Sequence, residues 1–86
     1  MKNKVLVSIS IPEIDKKIDA YLPINKKVGN IINLLNKAIS ELTDGEYVLS
    51  NCNSLYNVIS KEKYSSDVLL ANTNIRNGTL LVLLSK

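Results

Sequence analysis

The side chains that most often carry enzyme chemistry are scarce in this chain. Histidine is absent, so the commonest general base is missing. The single cysteine, Cys52, has no imidazole to activate its thiol. The eight acidic residues are separated singles without metal-ligand spacing, and the three glycines form no phosphate-binding loop. We therefore expect a protein that is not an enzyme and has no catalytic residue, cofactor or metal site.

Length and composition predict a small globular domain that spans residues 1–86. Hydrophobic residues make up 45% of the chain and charged residues 22%, which is ordinary globular usage. No apolar run approaches the roughly 18 residues that a membrane span needs. The first four residues lead directly into a strand-like run without the features of a signal peptide, so we expect a cytoplasmic protein without membrane insertion. One cysteine excludes an internal disulfide.

The net charge of +3 and the pI of about 9.1 raise the question of nucleic-acid binding. The ten lysines are scattered, however, and Arg76 is the only arginine, although arginine is the usual reader of phosphates and guanines. We expect no nucleic-acid partner and interpret the lysines as a solvated surface. A small basic nucleic-acid-binding protein remains the alternative function.

Alternating apolar residues predict a hairpin at the start of the chain, with strands at Lys4–Ile11 and Lys16–Pro23 around the loop that begins at Pro12. Helical spacing predicts a helix over Val28–Leu42, whose apolar stripe is Val28, Ile31, Ile32, Leu35, Ile39 and Leu42. We expect Asn25 to cap this helix, Gly45 to end it, and Gly29 to allow a close backbone approach to a strand.

The second half of the chain predicts further strands. We expect a third strand at 46–51, a possible short fourth strand at 55–59, an exposed loop at 60–67 and a last strand at 79–84. Val68, Leu70 and Ile75 should be buried around a short 3₁₀ turn. The last strand is the most apolar, so it should be central, parallel to the first strand and beside the third. The expected fold class is α+β. The elements follow in the order ββαββ, and the expected architecture is a β-grasp (ubiquitin-like) fold, in which a mixed sheet packs on one helix.

Along most of its length the chain resembles the ubiquitin-like family. The closing run "LLANTNIRNGTLLVLL" is similar to the end of ubiquitin, and its most specific element is Asn74-Ile75. The residues that match the family's core positions in the first half are Val5, Val7, Ile18, Leu22, Val28, Ile31 and Leu35. Ubiquitin and related sulfur carriers act through a Gly-Gly tail, whereas this sequence ends in Leu-Leu-Ser-Lys. We therefore expect that it is not a conjugated modifier or a sulfur carrier.

Two segments resemble the bacterial YukD/EsaB family in particular, namely "YLPINKKVGNIINLLNKAI" and "NIRNGTLLVLL". Members are ubiquitin-like proteins associated with the type VII (WXG100) secretion systems of Gram-positive bacteria. The resemblance implies a non-catalytic interaction module, a small cytosolic component or regulator of such a system. Its partner would be a secretion-system protein or a second copy of itself.

Five apolar residues in a row, Leu80–Leu84, leave apolar side chains on both faces of the last strand. If Leu81 and Leu83 point to the helix, the other three point away from it. A single helix covers only one face of a sheet, and an uncovered apolar strip often marks an interaction site. The predicted partner-binding residues are Leu6, Leu49, Leu80, Val82 and Leu84. The resemblance agrees for Leu49, Val82 and Leu84, which match ubiquitin's recognition patch. The competing interpretation is that isolated exposed leucines are common.

Overall fold

The computed structural model describes residues 3–43 and 54–84. Its regular elements are β1 (Lys4–Ile11), β2 (Lys16–Pro23), α1 (Val28–Leu42), β3 (Ser54–Asn57) and β4 (Leu80–Leu84). Short 3₁₀ turns occupy Pro12–Ile14 and Leu70–Asn72. The predicted bounds of the first two strands and of the helix are confirmed, and the last strand begins one residue later than predicted. The predictions for the strand at 46–51, for Gly45 and for Cys52 lie outside the described residues.

The four strands form one mixed sheet in the order β2-β1-β4-β3. The β1–β2 hairpin is antiparallel, β4 runs parallel to β1, and β3 is antiparallel to β4. The predicted central position of the last strand is therefore confirmed. Its second neighbour in the described part of the chain is β3, which overlaps the possible short strand predicted at 55–59.

The core lies between α1 and the sheet. Every strand contributes buried side chains to it, as do the loops before β4. The buried apolar residues are Val7, Ile9, Ile11, Leu22, Val28, Ile31, Ile32, Leu35, Ile39, Leu55, Tyr64, Leu70, Ile75, Leu81 and Leu83. Leu42 was predicted to belong to the buried stripe, but its side chain is 71% exposed. It is the last residue of α1, where the stripe extends past the buried core.

The helix begins differently from the prediction, because Asn25 is not its N-cap. Lys27 holds that position, and its side chain makes no capping hydrogen bond. Two loop carbonyls take over this role. The Val28 N–H donates to Val68 O at 2.9 Å, and the Gly29 N–H donates to Ser66 O at 3.0 Å.

The predicted close approach at Gly29 is present, but its partner is a loop rather than a strand. A Cβ atom at Gly29 would lie 3.1 Å from the Cβ and 3.2 Å from the carbonyl oxygen of Ser66. The contact between the helix start and this loop therefore favours glycine.

Candidate functional site

β4 divides its side chains between the two faces of the sheet. Leu81 and Leu83 are buried on the side of α1. Leu80 and Leu84 are 43% and 37% exposed on the opposite side, and Val82 between them is partly buried. The described residues place no second helix over this side, which we call the open face. We call Leu80, Val82 and Leu84 the β4 strip.

Polar residues border the β4 strip on the β1 side. Ser8 pairs with Leu80 and Ser10 with Val82, and paired residues share a face of the sheet. On the β3 side, Tyr56 lies opposite Val82. The strip is therefore a single apolar row along one strand, with hydroxyl groups on both sides of it.

Of the other two predicted binding residues, only Leu6 lies within the described part of the chain. Leu6 lies on the open face at the end where β4 begins, and it is 39% exposed. Its carbonyl oxygen accepts a hydrogen bond from the Gly78 N–H at 2.8 Å, and its N–H donates to Asn77 Oδ1 at 2.9 Å. Leu49 lies outside the described residues. The structure thus brings Leu6, Leu80, Val82 and Leu84 to one face.

Sequence reasoning missed several residues of this face. A depression of about 520 Å³ on it is lined by the β4 strip together with Tyr56, Val58, Lys17 and Lys61. Tyr56 lay in the run that was predicted as a possible strand, where its alternation with Leu55 could have placed it on this face. The two lysines put ammonium groups beside the apolar row. Nearby, the Ser8 hydroxyl donates to Asp19 Oδ1 at 2.7 Å.

This arrangement is suited to binding a partner surface. Apolar side chains form its centre, and hydroxyl and ammonium donors form its border. Such a surface can bury the apolar side chains of a partner and pair with its carboxylates. Within residues 3–43 and 54–84, no cluster of three or more Asp, Glu, Cys or His side chains could hold a metal ion.

A buried polar network holds β3 in place beside β4. Tyr64 is buried, although the sequence predicted an exposed loop over 60–67. Its hydroxyl donates to Asn74 Oδ1 and accepts from Asn57 Nδ2 at 3.0 Å. Asn57 Oδ1 in turn accepts from the N–H groups of Ile59 and Ser60, both at 2.9 Å. The network ties the turn after β3 to the segment before β4.

No family model and no curated protein matches this chain. Solved structures do match it. The ubiquitin-like domain of the Mycobacterium tuberculosis type VII secretion system protein ECCD1 aligns with a TM-score of 0.73 at 16% identity, over 95% of this chain and 98% of that one. The fold is ubiquitin-like.

Two further solved structures align with this chain. Caldiarchaeum subterraneum ubiquitin aligns with a TM-score of 0.66 at 12% identity, over 96% of this chain and 94% of that one. A chain of the MycP5-free ESX-5 inner membrane complex aligns with a TM-score of 0.70 at 17% identity, over 98% of this chain. This chain spans only 21% of that chain's length. Identities at this level support the shared fold and nothing finer.

The structure gives a role to Asn74 and Ile75, the most specific element of the closing run. Asn74 accepts the hydrogen bond from the buried Tyr64, and Ile75 is buried in the core. These two residues fix the segment that leads into β4, and therefore the position of the β4 strip. None of the helices in the described ranges has the length and apolar character needed to cross a membrane.

Proposed function

We propose that this chain is a non-catalytic, single-domain ubiquitin-like interaction module of the YukD/EsaB type. It acts in the cytoplasm as a component or regulator of a type VII (WXG100) secretion system. It binds a partner protein of that system through the open face. The observation that carries the proposal is the β4 strip, an apolar row on a sheet face that no helix of the described chain covers.

The secretion-system assignment is supported by the match to the ECCD1 domain, which is similar over nearly the whole length of both chains. It is also supported by the two sequence segments that resemble the YukD/EsaB family. We extend the binding surface to Leu6 at one end and to Leu49, which lies outside the described residues. The partner surface should present apolar side chains to the β4 strip and carboxylates to Lys17 and Lys61, since both lysines border the depression there.

Matched charge insertions test this function. Val82→Lys places a charge within the β4 strip, and Asn33→Lys makes the same charge change on the exposed side of α1. In the bacterium that carries the gene, Val82→Lys should reduce type VII secretion at an unchanged protein level, whereas Asn33→Lys should leave it intact. Normal secretion by both variants would overturn the proposal.

A further inference from the structure

The turn that leads into β4 contains the pair Asn77-Gly78. The Thr79 N–H donates to Arg76 O at 3.1 Å and closes this turn. Gly78 has a φ of +88°, and Asn77 is not among the described residues with a positive φ. A negative φ followed by a positive one is the pattern of a type II turn, which favours glycine at its third position. Residues 76–79 therefore form a type II turn with Asn77 second and Gly78 third.

An asparagine followed by a glycine can modify itself in water. The backbone nitrogen of the glycine loses its proton and attacks Cγ of the asparagine, a C–N bond forms, and the side-chain amide leaves as ammonia. Water then opens the resulting succinimide ring at one of its two carbonyls and gives aspartate or isoaspartate. Glycine favours the attack because it has no side chain to obstruct it. Asn77 and Gly78 are both exposed, so water reaches this pair.

The folded chain holds both reacting groups in hydrogen bonds with one residue of β1, Leu6. The Leu6 N–H donates to Asn77 Oδ1 at 2.9 Å, and the Gly78 N–H donates to Leu6 O at 2.8 Å. The nitrogen that must attack is therefore engaged as a protonated donor. The asparagine side chain that it must reach is directed toward β1 instead.

The backbone conformation of the turn opposes the same reaction. Closing the five-membered ring requires Gly78 N to eclipse the Cβ atom of Asn77. The second residue of a type II turn has a ψ of about +120°, which places the next nitrogen beside the Cα hydrogen and about 120° away from Cβ. Deamidation in the native state must therefore wait until the turn opens and its bonds to Leu6 break.

We propose that Asn77 is a deamidation site that the fold protects and that reacts when this turn separates from β1. The two products have different effects. Aspartate keeps a side-chain oxygen that can accept from the Leu6 N–H. Isoaspartate lengthens the backbone by one methylene group at position 77, so the turn cannot re-form in register and both hydrogen bonds with Leu6 are lost. Formation of isoaspartate therefore makes the separation of the turn from β1 permanent.

Incubation of the full chain at mildly alkaline pH, followed by proteolysis and mass spectrometry, tests this proposal. Deamidation is measured from the mass gain of the peptide that contains Asn77, and chromatography separates its aspartate and isoaspartate forms. One sample is native and the other is unfolded in guanidinium chloride at the same pH. We expect the native chain to react at least about tenfold more slowly, because two hydrogen bonds and the turn must open first.

Two threonine variants provide a matched comparison. Thr79→Val removes the hydroxyl that accepts from the Arg76 N–H at 2.9 Å, and so it loosens the turn without changing the reacting pair. Thr43→Val removes a hydroxyl that donates to Ile39 O at 2.9 Å at the C-terminal end of α1. We expect Thr79→Val to speed deamidation of the native chain about threefold or more, and Thr43→Val to leave it unchanged. Neither variant should change the rate in guanidinium chloride.

Hydrogen exchange then distinguishes the two products. The isoaspartate form should exchange the Leu6 and Gly78 amides faster than the wild type, whereas Asn77→Asp should exchange them at the wild-type rate. The proposal is overturned if the native and unfolded chains deamidate Asn77 equally fast, if neither deamidates it, if the two threonine variants react alike, or if the isoaspartate form keeps the wild-type exchange. None of these measurements involves a partner protein, so their outcome is separate from that of the secretion test.

Discussion

Tyr56 lies directly opposite Val82 on the open face, whereas Leu83, the next residue of β4, lies opposite Leu55 in the core. Neighbouring residues of one apolar run thus have different environments. This relationship explains why β4 does not alternate between apolar and polar residues: one set of its side chains builds the core, and we propose that the other set meets a partner.

The first prediction compares a charge on each side of β4. Val82→Lys should leave the fold nearly intact, because a lysine there can extend its ammonium group into water. Leu83→Lys should unfold the protein, because it buries an unpaired charge at a position that is 0% exposed. Circular dichroism of the two variants measures the difference. If Val82→Lys unfolds the chain as severely as Leu83→Lys, our assignment of the open face is wrong.

The second prediction concerns the buried side of α1. Leu35→Ala should lower the free energy of unfolding by about 2–5 kcal/mol, because Leu35 is buried in the core and its removal leaves a cavity. Asn33→Ala changes an exposed residue of the same helix and should cost less than about 0.5 kcal/mol. Urea unfolding followed by circular dichroism gives both values. Similar midpoints for the two variants would contradict the observed orientation of the helix.

The strongly patterned elements could be predicted from the sequence, for identifiable reasons. β1 and β2 alternate clearly. β1 ends just before Pro12 and β2 ends at Pro23, and each proline limits how far its strand can extend. The apolar residues of α1 repeat at helical spacing over four turns. The exposure of Leu80 and Leu84 followed from the same logic, since adjacent residues of a strand face opposite ways.

Features that depend on distant partners could not be predicted. β3 has four residues and a single aliphatic side chain, Leu55, and its pairing with β4 defines it. Tyr64 stands in a polar run and is buried because Asn57 and Asn74 satisfy its hydroxyl from both sides. The start of α1 is capped by carbonyls of a loop almost forty residues away. The residues next to the helix could not reveal these partners, and they led to the incorrect prediction of Asn25 as the N-cap.

The third prediction concerns alkaline pH. Burial raises the pKa of Tyr64 above its ordinary value of 10.0, the hydrogen bond with Asn57 opposes this, and the nearby Glu62 carboxylate adds to it. The unfolded chain therefore ionises Tyr64 at a lower pH than the folded chain does. The stability that depends on neutral Tyr64 is complete below about pH 10 and is lost as the pH rises toward the folded-state pKa.

Tyr64→Phe provides the control for this pH dependence. The variant should be less stable at neutral pH by about 1 kcal/mol, because it removes a hydroxyl that Asn57 and Asn74 both contact. Its stability should then fall less steeply than that of the wild type at high pH. Urea midpoints measured on both proteins between about pH 8 and pH 11 reveal the difference. If the urea midpoints of the two proteins fall equally steeply with pH, Tyr64 does not contribute to the pH dependence of stability.

Photo-crosslinking in the living bacterium tests the central claim most directly. A photoreactive amino acid replaces Leu80. A second protein carries the same amino acid at Asn33, which is exposed on α1 rather than on the open face. We predict that the Leu80 probe forms a crosslink to a component of the type VII secretion system, identified by mass spectrometry, and that the Asn33 probe does not. A Leu80 probe that captures no such component, or captures it no better than the Asn33 probe, would contradict the account.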